Sequence, residues 1–378
     1  MAKLRVLIAE DSQVIQRTLA ALLEGESGIE VVGTAGTGEE ALAICREQRP
    51  DLVTMDIFMP EMDGLEATRR IMEECPTRIV IISSMVGSDD QRMSFEAMRA
   101  GAVEVIAKPH GVLAGNYAQV RADLSRVLRR IEAARPARQL AWQASIAPPP
   151  PLATPEPSRP RPVAAPGPAP GARSDSRFAP QEIPEGFSPA IVGIGGSTGA
   201  PAVLVEVLSA LPASFRVPIV VAQHIAFGFA NGMADWLNAS VALEVAVART
   251  GDELRPGRVL IAPDDRHLEI KSGDRVVLRP SQRAREHVPS VDRFFSSLAG
   301  AGAERALGVI LSGMGGDGAR GLGELREAGG ITLAQDEQSC VVHGMPGKAV
   351  ELGAVMQEVS PESLAELLAA LGQRAESS

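Results

Sequence analysis

The 378-residue chain has three cysteines, no long apolar run and fewer basic than acidic residues, and each shortage removes a class of function. Cys45, Cys75 and Cys340 are odd in number, widely scattered and without metal-ligand spacing. They fit a reducing cytoplasm, where small buried fillers are their expected role. No apolar stretch approaches the ~20 residues a membrane helix requires. The opening "MAKLRVLIAEDS" has its apolar run cut short by acids, so it is expected to be a strand and no signal peptide. Acids outnumber bases by 47 to 37, for a net charge of −10. Nucleic-acid binders carry a basic patch or stripe, and no helix-turn-helix, zinc-ligand or RNA-binding pattern is present either. A cytoplasmic protein with no nucleic-acid partner and no direct membrane insertion is the expectation.

The chain is long enough for two domains, and its 45% hydrophobic content suits globular cores. Proline marks the division. Between Pro136 and Pro189 the sequence is dense in Pro, Ala, Ser and Arg, with almost no periodic apolar residues. Such a stretch buries too little surface to offset chain entropy, so residues 136–187 are expected to form an extended linker. Both flanking parts alternate apolar strands with amphipathic helices, the pattern of parallel α/β sheets. The first offers "LRVLIAE", "EVVGTA", "LVTMD", "RIVIIS" and "AVEVIA"; the second "PAIVGIG", "VPIVVAQ", "GRVLIAP", "ALGVILS" and "GITLAQ", with a hairpin in "LEIKSGDRVVLRP".

In the first part, polar residues fall where strands end: Glu10 and Asp11 after the first, Asp56 after the third, Ser83 after the fourth and Lys108 after the fifth. The carboxyl ends of parallel strands share one edge, where ligands bind. Three carboxylates converging there would repel one another unless a hard cation such as Mg²⁺ lay among them. A lysine adds a point charge for a phosphoryl group and a serine a hydroxyl. With "MDIFMPEMDG" around Asp56 and "KP" after the last strand, this part resembles a response-regulator receiver domain, of flavodoxin-like fold, over residues 1–125. The resemblance implies that Asp56 accepts phosphate from a histidine kinase, that Glu10 and Asp11 join it in holding Mg²⁺, and that Ser83 and Lys108 sense the phosphate. It also implies a cis Lys108–Pro109 bond. Phe58 departs from the polar or acidic residue common at its position.

The second part opens on "IVGIGGSTGAPAVLVEVLSAL", a strand, a glycine-dense turn and a helix. A phosphate cradle would need glycine at 198, which is Thr, or Gly-Lys-Ser/Thr, which is absent. It would also need an acid at the end of the next strand, where "VVAQHIAFG" offers a glutamine and a histidine. By contrast "GGSTG" matches G-x-S-x-G, the sharp turn that lifts a serine above a sheet. A serine needs a base within reach. His224 ends the next strand, and consecutive parallel strands are usually neighbours, so Ser197 and His224 are expected side by side. His267, His287 and His343 read as surface or structural histidines, and His110 lies in the other part. For a carboxylate to orient the imidazole, Asp317 after "ALGVILSG" is the leading candidate; Asp264 and Asp265 are rivals, and Asp317 has a plain alternative role as a helix N-cap. The glycines around Met314 permit a tight loop whose N–H groups could face an oxyanion.

In chain order, "IGGSTGAP", "VAQHIAFGF", "GRVLIAPDDRHL", "HVPSVDRFFSSLA", "LSGMGGDGARGL" and "AQDEQSCVVHGMPGKAVELGA" are similar to the catalytic domain of CheB, the chemotaxis protein-glutamate methylesterases, over residues 188–370. The expected fold is a doubly wound, mostly parallel α/β sheet. The resemblance implies a nucleophile at Ser197, a base at His224, an acid at Asp317, and an oxyanion site at the backbone of Met314 and Thr198. It further implies chemoreceptors as substrates, methanol as product, deamidation of glutamines by the same chemistry, and no cofactor for hydrolysis. Ser312 stands where threonine is usual and Ile225 where methionine is common. A phosphorylation-gated adaptor without hydrolytic activity is the alternative.

Overall fold

The computed structural model describes residues 3–26, 28–83, 88–108, 128, 183–184, 186–271, 274–281 and 287–376. Pro109, and with it the expected cis bond, lies outside these residues, as does nearly all of the expected 136–187 linker.

The first domain alternates strand and helix without exception. Its elements are β1 (Leu4–Ala9), α1 (Gln13–Glu24), β2 (Ile29–Ala35), α2 (Gly38–Gln48), β3 (Leu52–Asp56), α3 (Gly64–Glu74), β4 (Arg78–Ser83), α4 (Ser88–Arg99) and β5 (Glu104–Ala107). The five parallel strands lie in the order β2-β1-β3-β4-β5, the flavodoxin-like arrangement. Helices cover both faces, so central strands such as "LVTMD" are buried at every residue and carry no polar alternation. Two helix starts are set locally: the Thr37 side chain accepts from Glu40 N–H and the Asp63 side chain from Glu66 N–H.

The second domain comprises β6 (Ile191–Gly196), α5 (Ala200–Ser209), β7 (Ile219–Gln223), α6 (Ala230–Ser240), β8 (Glu244–Val247), β9 (Arg258–Ile261), β10 (Arg266–Lys271), β11 (Arg275–Pro280), α7 (Val291–Gly302), β12 (Ala306–Ile310), α8 (Ala319–Glu327), β13 (Ile331–Gln335), α9 (Met345–Glu351), β14 (Gln357–Val359) and α10 (Pro361–Glu376). Seven parallel strands run β14-β13-β12-β6-β7-β9-β8, and β10 pairs with β11 as a separate antiparallel hairpin. The hairpin expected in "LEIKSGDRVVLRP" is thus present. The edge strands β8 and β14 were not foreseen; at four and three residues they are too short to display a period.

From β6 the chain winds outward through β7, while from β12 it winds the other way through β13. The two crossovers diverge, leaving a crevice at the carboxyl ends of β6 and β12. The "GSTG" turn leaves β6 at this crevice, and the "SGMGGDG" loop leaves β12 beside it.

Glycines on β6 let a helix lie close above it. A Cβ at Gly195 would sit 2.2 Å from Val291 Cγ1, and one at Gly193 would sit 2.5 Å from Leu298 Cδ1. Both partners belong to α7, whose Val291, Phe294, Phe295 and Leu298 are buried. Substituting Gly195→Ala is therefore expected to overpack this contact and cost about 1–3 kcal/mol, read as a lower urea midpoint; an unchanged midpoint would contradict the close approach of α7 to β6.

Candidate active site

At the carboxyl edge of the first sheet, Glu10, Asp11 and Asp56 each offer an oxygen within 4.8 Å of the others. Glu10 and Asp56 are buried. Burial, followed by the charge of Asp56, pushes the Glu10 carboxyl up to about 7, and burial likewise raises Asp56. Lys108 Nζ lies 2.7 Å from Asp56 Oδ2 and 3.1 Å from Glu10 Oε2. Although burial opposes its charge, the hydrogen bond and charge of Asp56, with Glu10 behind them, raise the Lys108 pKa. Ser83, buried, closes β4 beside it, paired with Ala107. All five residues expected from the sequence are therefore at this edge. An all-oxygen set with more negative charge than one lysine offsets fits a hard divalent cation.

In the second domain the crevice holds Ser197. Gly199, at φ +84°, turns the chain into α5, and a Cβ there would collide with Val341 at 2.6 Å. Gly313 brings the β12 loop against the serine, since its own Cβ would lie 2.8 Å from Ser197 Cβ. Gly196 pairs with Gln223 in the β6–β7 register, and His224 N–H donates to Gly196 O at 3.0 Å. Ser197 and His224 thus leave neighbouring strands at the same level. One buried side chain spans both: Gln223 Nε2 donates to Ser197 O at 2.8 Å and to His224 O at 2.9 Å. Ser312 Oγ donates to Thr198 O at 2.8 Å, fixing the turn from the other side.

His224 Nε2 lies 2.8 Å from Asp317 Oδ2. With that nitrogen protonated toward the carboxylate, Nδ1 is the atom left to accept a proton. Among the described residues the Ser197 hydroxyl makes no hydrogen bond, although Ser197 and His224 line one cavity. The roles of Asp264 and Asp265 are different. Asp264 Oδ2 accepts from Ala230 N–H at the start of α6, and Asp265 pairs with Arg266 at the surface.

Asp317 is held by more than the histidine. Its Oδ1 accepts from Ser290 Oγ at 3.1 Å and Asp292 N–H at 2.9 Å, and its Oδ2 from Val291 N–H at 2.9 Å. These donors form the N-terminus of α7, where anionic groups are stabilised. Burial alone would raise the Asp317 pKa; the His224 bond and charge and the Asp292 and Val291 amides hold it at about 2. In return, Asp292 Oδ1 accepts from Gly318 N–H at 3.0 Å and Gly321 N–H at 2.8 Å, at the start of α8. Asp317 therefore does act as a helix cap, but on α7 rather than on the helix it precedes. Behind this clasp, His267 Nδ1 accepts from Ser290 N–H at 3.0 Å, so His267 is a buried structural histidine as expected. His343 Nε2 lies 3.3 Å from Glu358 Oε1, while its backbone bridges to Gly313. His287 is exposed, in keeping with the surface or structural reading, and its ring also stacks on that of His224, with centroids 4.8 Å apart and planes 15° apart.

Ser290, Asp292, Gln223 and His287 were not singled out by sequence. The local signals were a serine before a helix in "PSVD" and a glutamine adjoining His224, and neither reveals a partner some 26 residues away.

The cavity is about 560 Å³ and is lined by both domains. Ser197, Thr198, His224, His287 and Met314 come from the second domain; Phe95, Met98, Glu104 and Ile106 come from the first. Phe95 of α4 stacks on Trp236 of α6 at 5.3 Å between centroids, and Glu96 Oε1 accepts from Trp236 Nε1 at 3.2 Å.

Substituting Asp317→Asn keeps an oxygen for the α7 amides but removes the charge and half the acceptor capacity. Hydrolytic turnover is expected to fall by about 10³–10⁴-fold, and the thermal midpoint at neutral pH is expected to fall with it, because the α7 amides lose a charged acceptor. Because the native Asp317 pKa is depressed, its contribution to stability is present above the ordinary carboxylate range and is lost only as pH falls through about 2. A native acid-side activity limb therefore does not arise from Asp317, and a limb near neutrality that persisted in Asp317→Asn with full turnover would contradict its role.

Comparison with known proteins finds relatives of both domains. A family model described as CheB methylesterase matches residues 192–368, and one described as response regulator receiver domain matches residues 6–113. A protein-glutamate methylesterase/protein-glutamine glutaminase of Myxococcus xanthus is 41% identical over 97% of this chain and 96% of its own length. One from Syntrophus aciditrophicus is 38% identical over 97% and 98%. The crystal structure of the Thermotoga maritima CheB methylesterase catalytic domain is 37% identical, covering 49% of this chain and 99% of that one, with a TM-score of 0.47. Near-full-length identity at this level shows that the chain belongs to the CheB family of protein-glutamate methylesterase/protein-glutamine glutaminases, enzymes that join a receiver domain to a hydrolytic one.

Proposed function

We propose that the protein hydrolyses glutamyl methyl esters, and deamidates selected glutamines, on methyl-accepting chemoreceptors, with Ser197, His224 and Asp317 as its catalytic triad. The observation that carries this reading is the Asp317–His224 hydrogen bond, with His224 and Ser197 lining one cavity. His224 Nδ1 takes the Ser197 proton as Oγ attacks the γ-carbonyl carbon. The negative charge that develops on the carbonyl oxygen is faced by backbone N–H groups of Thr198 and Met314, whose loops Gly199 and Gly313 hold close to the serine. Asp317 stabilises the imidazolium. Collapse breaks the C–O bond, and the methoxyl leaves as methanol with the proton from His224. Water then attacks the glutamyl-serine ester, giving its proton to His224, and collapse frees Ser197 and a glutamate carboxylate. With a glutamine, ammonia leaves in place of methanol. The Ser, His, Asp order along the chain makes this a convergent triad, distinct from the α/β-hydrolase order. No cofactor enters the hydrolysis.

In the first domain Asp56 accepts a phosphoryl group from a histidine kinase. Glu10, Asp11 and Asp56 would hold Mg²⁺, which supplies positive charge for the incoming phosphate. Lys108 turns from the carboxylates to the phosphate oxygens, and the Ser83 hydroxyl donates to one of them. The α4–β5 face of this domain lies over the cavity, so phosphate controls access only to the extent that it favours one packing of the domains over another. A pathway of this kind works in the cytoplasm, on the receptors' cytoplasmic segments.

Methanol release from a methylated receptor fragment tests the hydrolytic reading. Ser197→Ala is expected to lower it by at least ~10³-fold, and release that survived would move the nucleophile elsewhere. A small-molecule phosphoryl donor with Mg²⁺ is expected to raise the native rate and to leave Asp56→Ala unchanged. Activation of Asp56→Ala to the native level would exclude Asp56 as the acceptor.

A further inference from the structure

The receiver contributes one residue to the cavity that does not suit an apolar lining. Phe95, Met98, Val103, Val105 and Ile106 form its side of the wall, and between them, among the described residues, Glu104 is the one acid. Thr198 Oγ1, the hydroxyl of the residue next to the nucleophile, donates to Glu104 Oε2 at 2.8 Å. Thr198 is buried and Glu104 half-buried, so this bond lies inside the cleft rather than on its rim.

We propose that the Thr198 hydroxyl is a recognition point for the γ-carboxyl group of a glutamyl side chain, and that Glu104 of the receiver occupies it as a tethered surrogate of the reaction product. The inference rests on the reading of this cleft as the methylesterase site. Hydrolysis of a glutamyl ester leaves a glutamate side chain in the cleft, and a glutamate side chain is what the receiver places there. A neutral hydroxyl donor serves a carboxylate, an ester carbonyl and an amide carbonyl alike, which suits one site that processes both esters and glutamines. A lysine or arginine in place of the hydroxyl would favour the product over both substrates. Glu104 has no leaving group, so it occupies the position without turnover. A single such contact is weak between separate molecules, but a covalent tether raises its effective concentration to the millimolar range. The Phe95–Trp236 stack supplies the apolar part of the same closure and the Glu104–Thr198 bond the part that reads the substrate. Substrate and receiver then compete for one hydroxyl. A tether unrelated to the reaction could have used any polar group on the facing surface; this one uses the residue adjoining Ser197.

The experiment uses the full chain without phosphoryl donor, a methylated receptor fragment as substrate, and N-acetyl-L-glutamate methylamide as the product probe. Glu104→Ala is expected to raise methanol release by about three- to tenfold, the worth of one partly exposed hydrogen bond to a charged group. The probe is expected to inhibit Glu104→Ala competitively with an inhibition constant lower than the native one by a similar factor. Thr198→Val, made in the Glu104→Ala background, keeps the backbone N–H and is expected to abolish that gain. Native rate and native inhibition in Glu104→Ala would overturn the proposal. So would a raised rate with unchanged probe inhibition, because Glu104 would then hold the domains together without occupying the substrate's position. Failure of the underlying reading is seen separately, as methanol release that persists in Ser197→Ala.

Discussion

The carboxylate of Asp317 accepts from the first amides of α7, from the Ser290 hydroxyl and from His224. A buried carboxylate loses much of its hydration, and only donors already in place offset that loss. The helix N-terminus provides them at no further ordering cost, because its leading N–H groups have no partners within the helix. The remaining lone pair is directed at His224. The geometry of the hydrolytic site thus depends on where α7 begins, and α7 begins there because Gly193 and Gly195 let it settle on β6, the strand that ends in Ser197. Ser197, His224 and Asp317 are consequently referred to one helix–strand contact, and Asp292 completes the clasp by capping α8 in return.

The two domains solve a similar electrostatic problem in opposite ways. In the hydrolytic domain one carboxylate is surrounded by donors and held at about 2. In the receiver, three carboxylates share one lysine, and Glu10 is pushed up to about 7. The first arrangement is finished as it stands; the second gains from added positive charge. This contrast is what the proposed roles require: a catalytic group at Asp317 that keeps its charge and an acceptor site at Asp56 whose charge balance changes with phosphate. Between them lies an apolar seam centred on Phe95, Phe229 and Trp236, which places the responsive site and the hydrolytic site on the two sides of one interface.

Much of the architecture was legible in the chain. The alternation of apolar strands and helices, the residues at strand ends and the "GGSTG" turn were enough to bring Ser197 beside His224 and Glu10 beside Asp56, because parallel strands with right-handed crossovers leave little freedom in which ends meet. Asp317 was legible as a strand-end acid, though its partners were not. The short strands β8 and β14 escaped notice, since three or four residues show no period. His287 read as a surface or structural histidine and is exposed, but its stacking on His224 is a contact between distant parts of the chain that no local pattern specifies.

The sequence by itself determined two parallel α/β sheets and the residue types available at the carboxyl edge of each. Those features follow from periodicity and strand direction, which are local or nearly so. Only the tertiary structure decided that Asp317 rests on α7, that Gln223 binds the carbonyls of both Ser197 and His224, and that Glu104 of one domain reaches Thr198 of the other. Each of these contacts depends on side chains whose types are common in many settings, and most join residues far apart along the chain. Their meaning comes from the packing that brings them within hydrogen-bonding reach, and packing is a property of the whole fold.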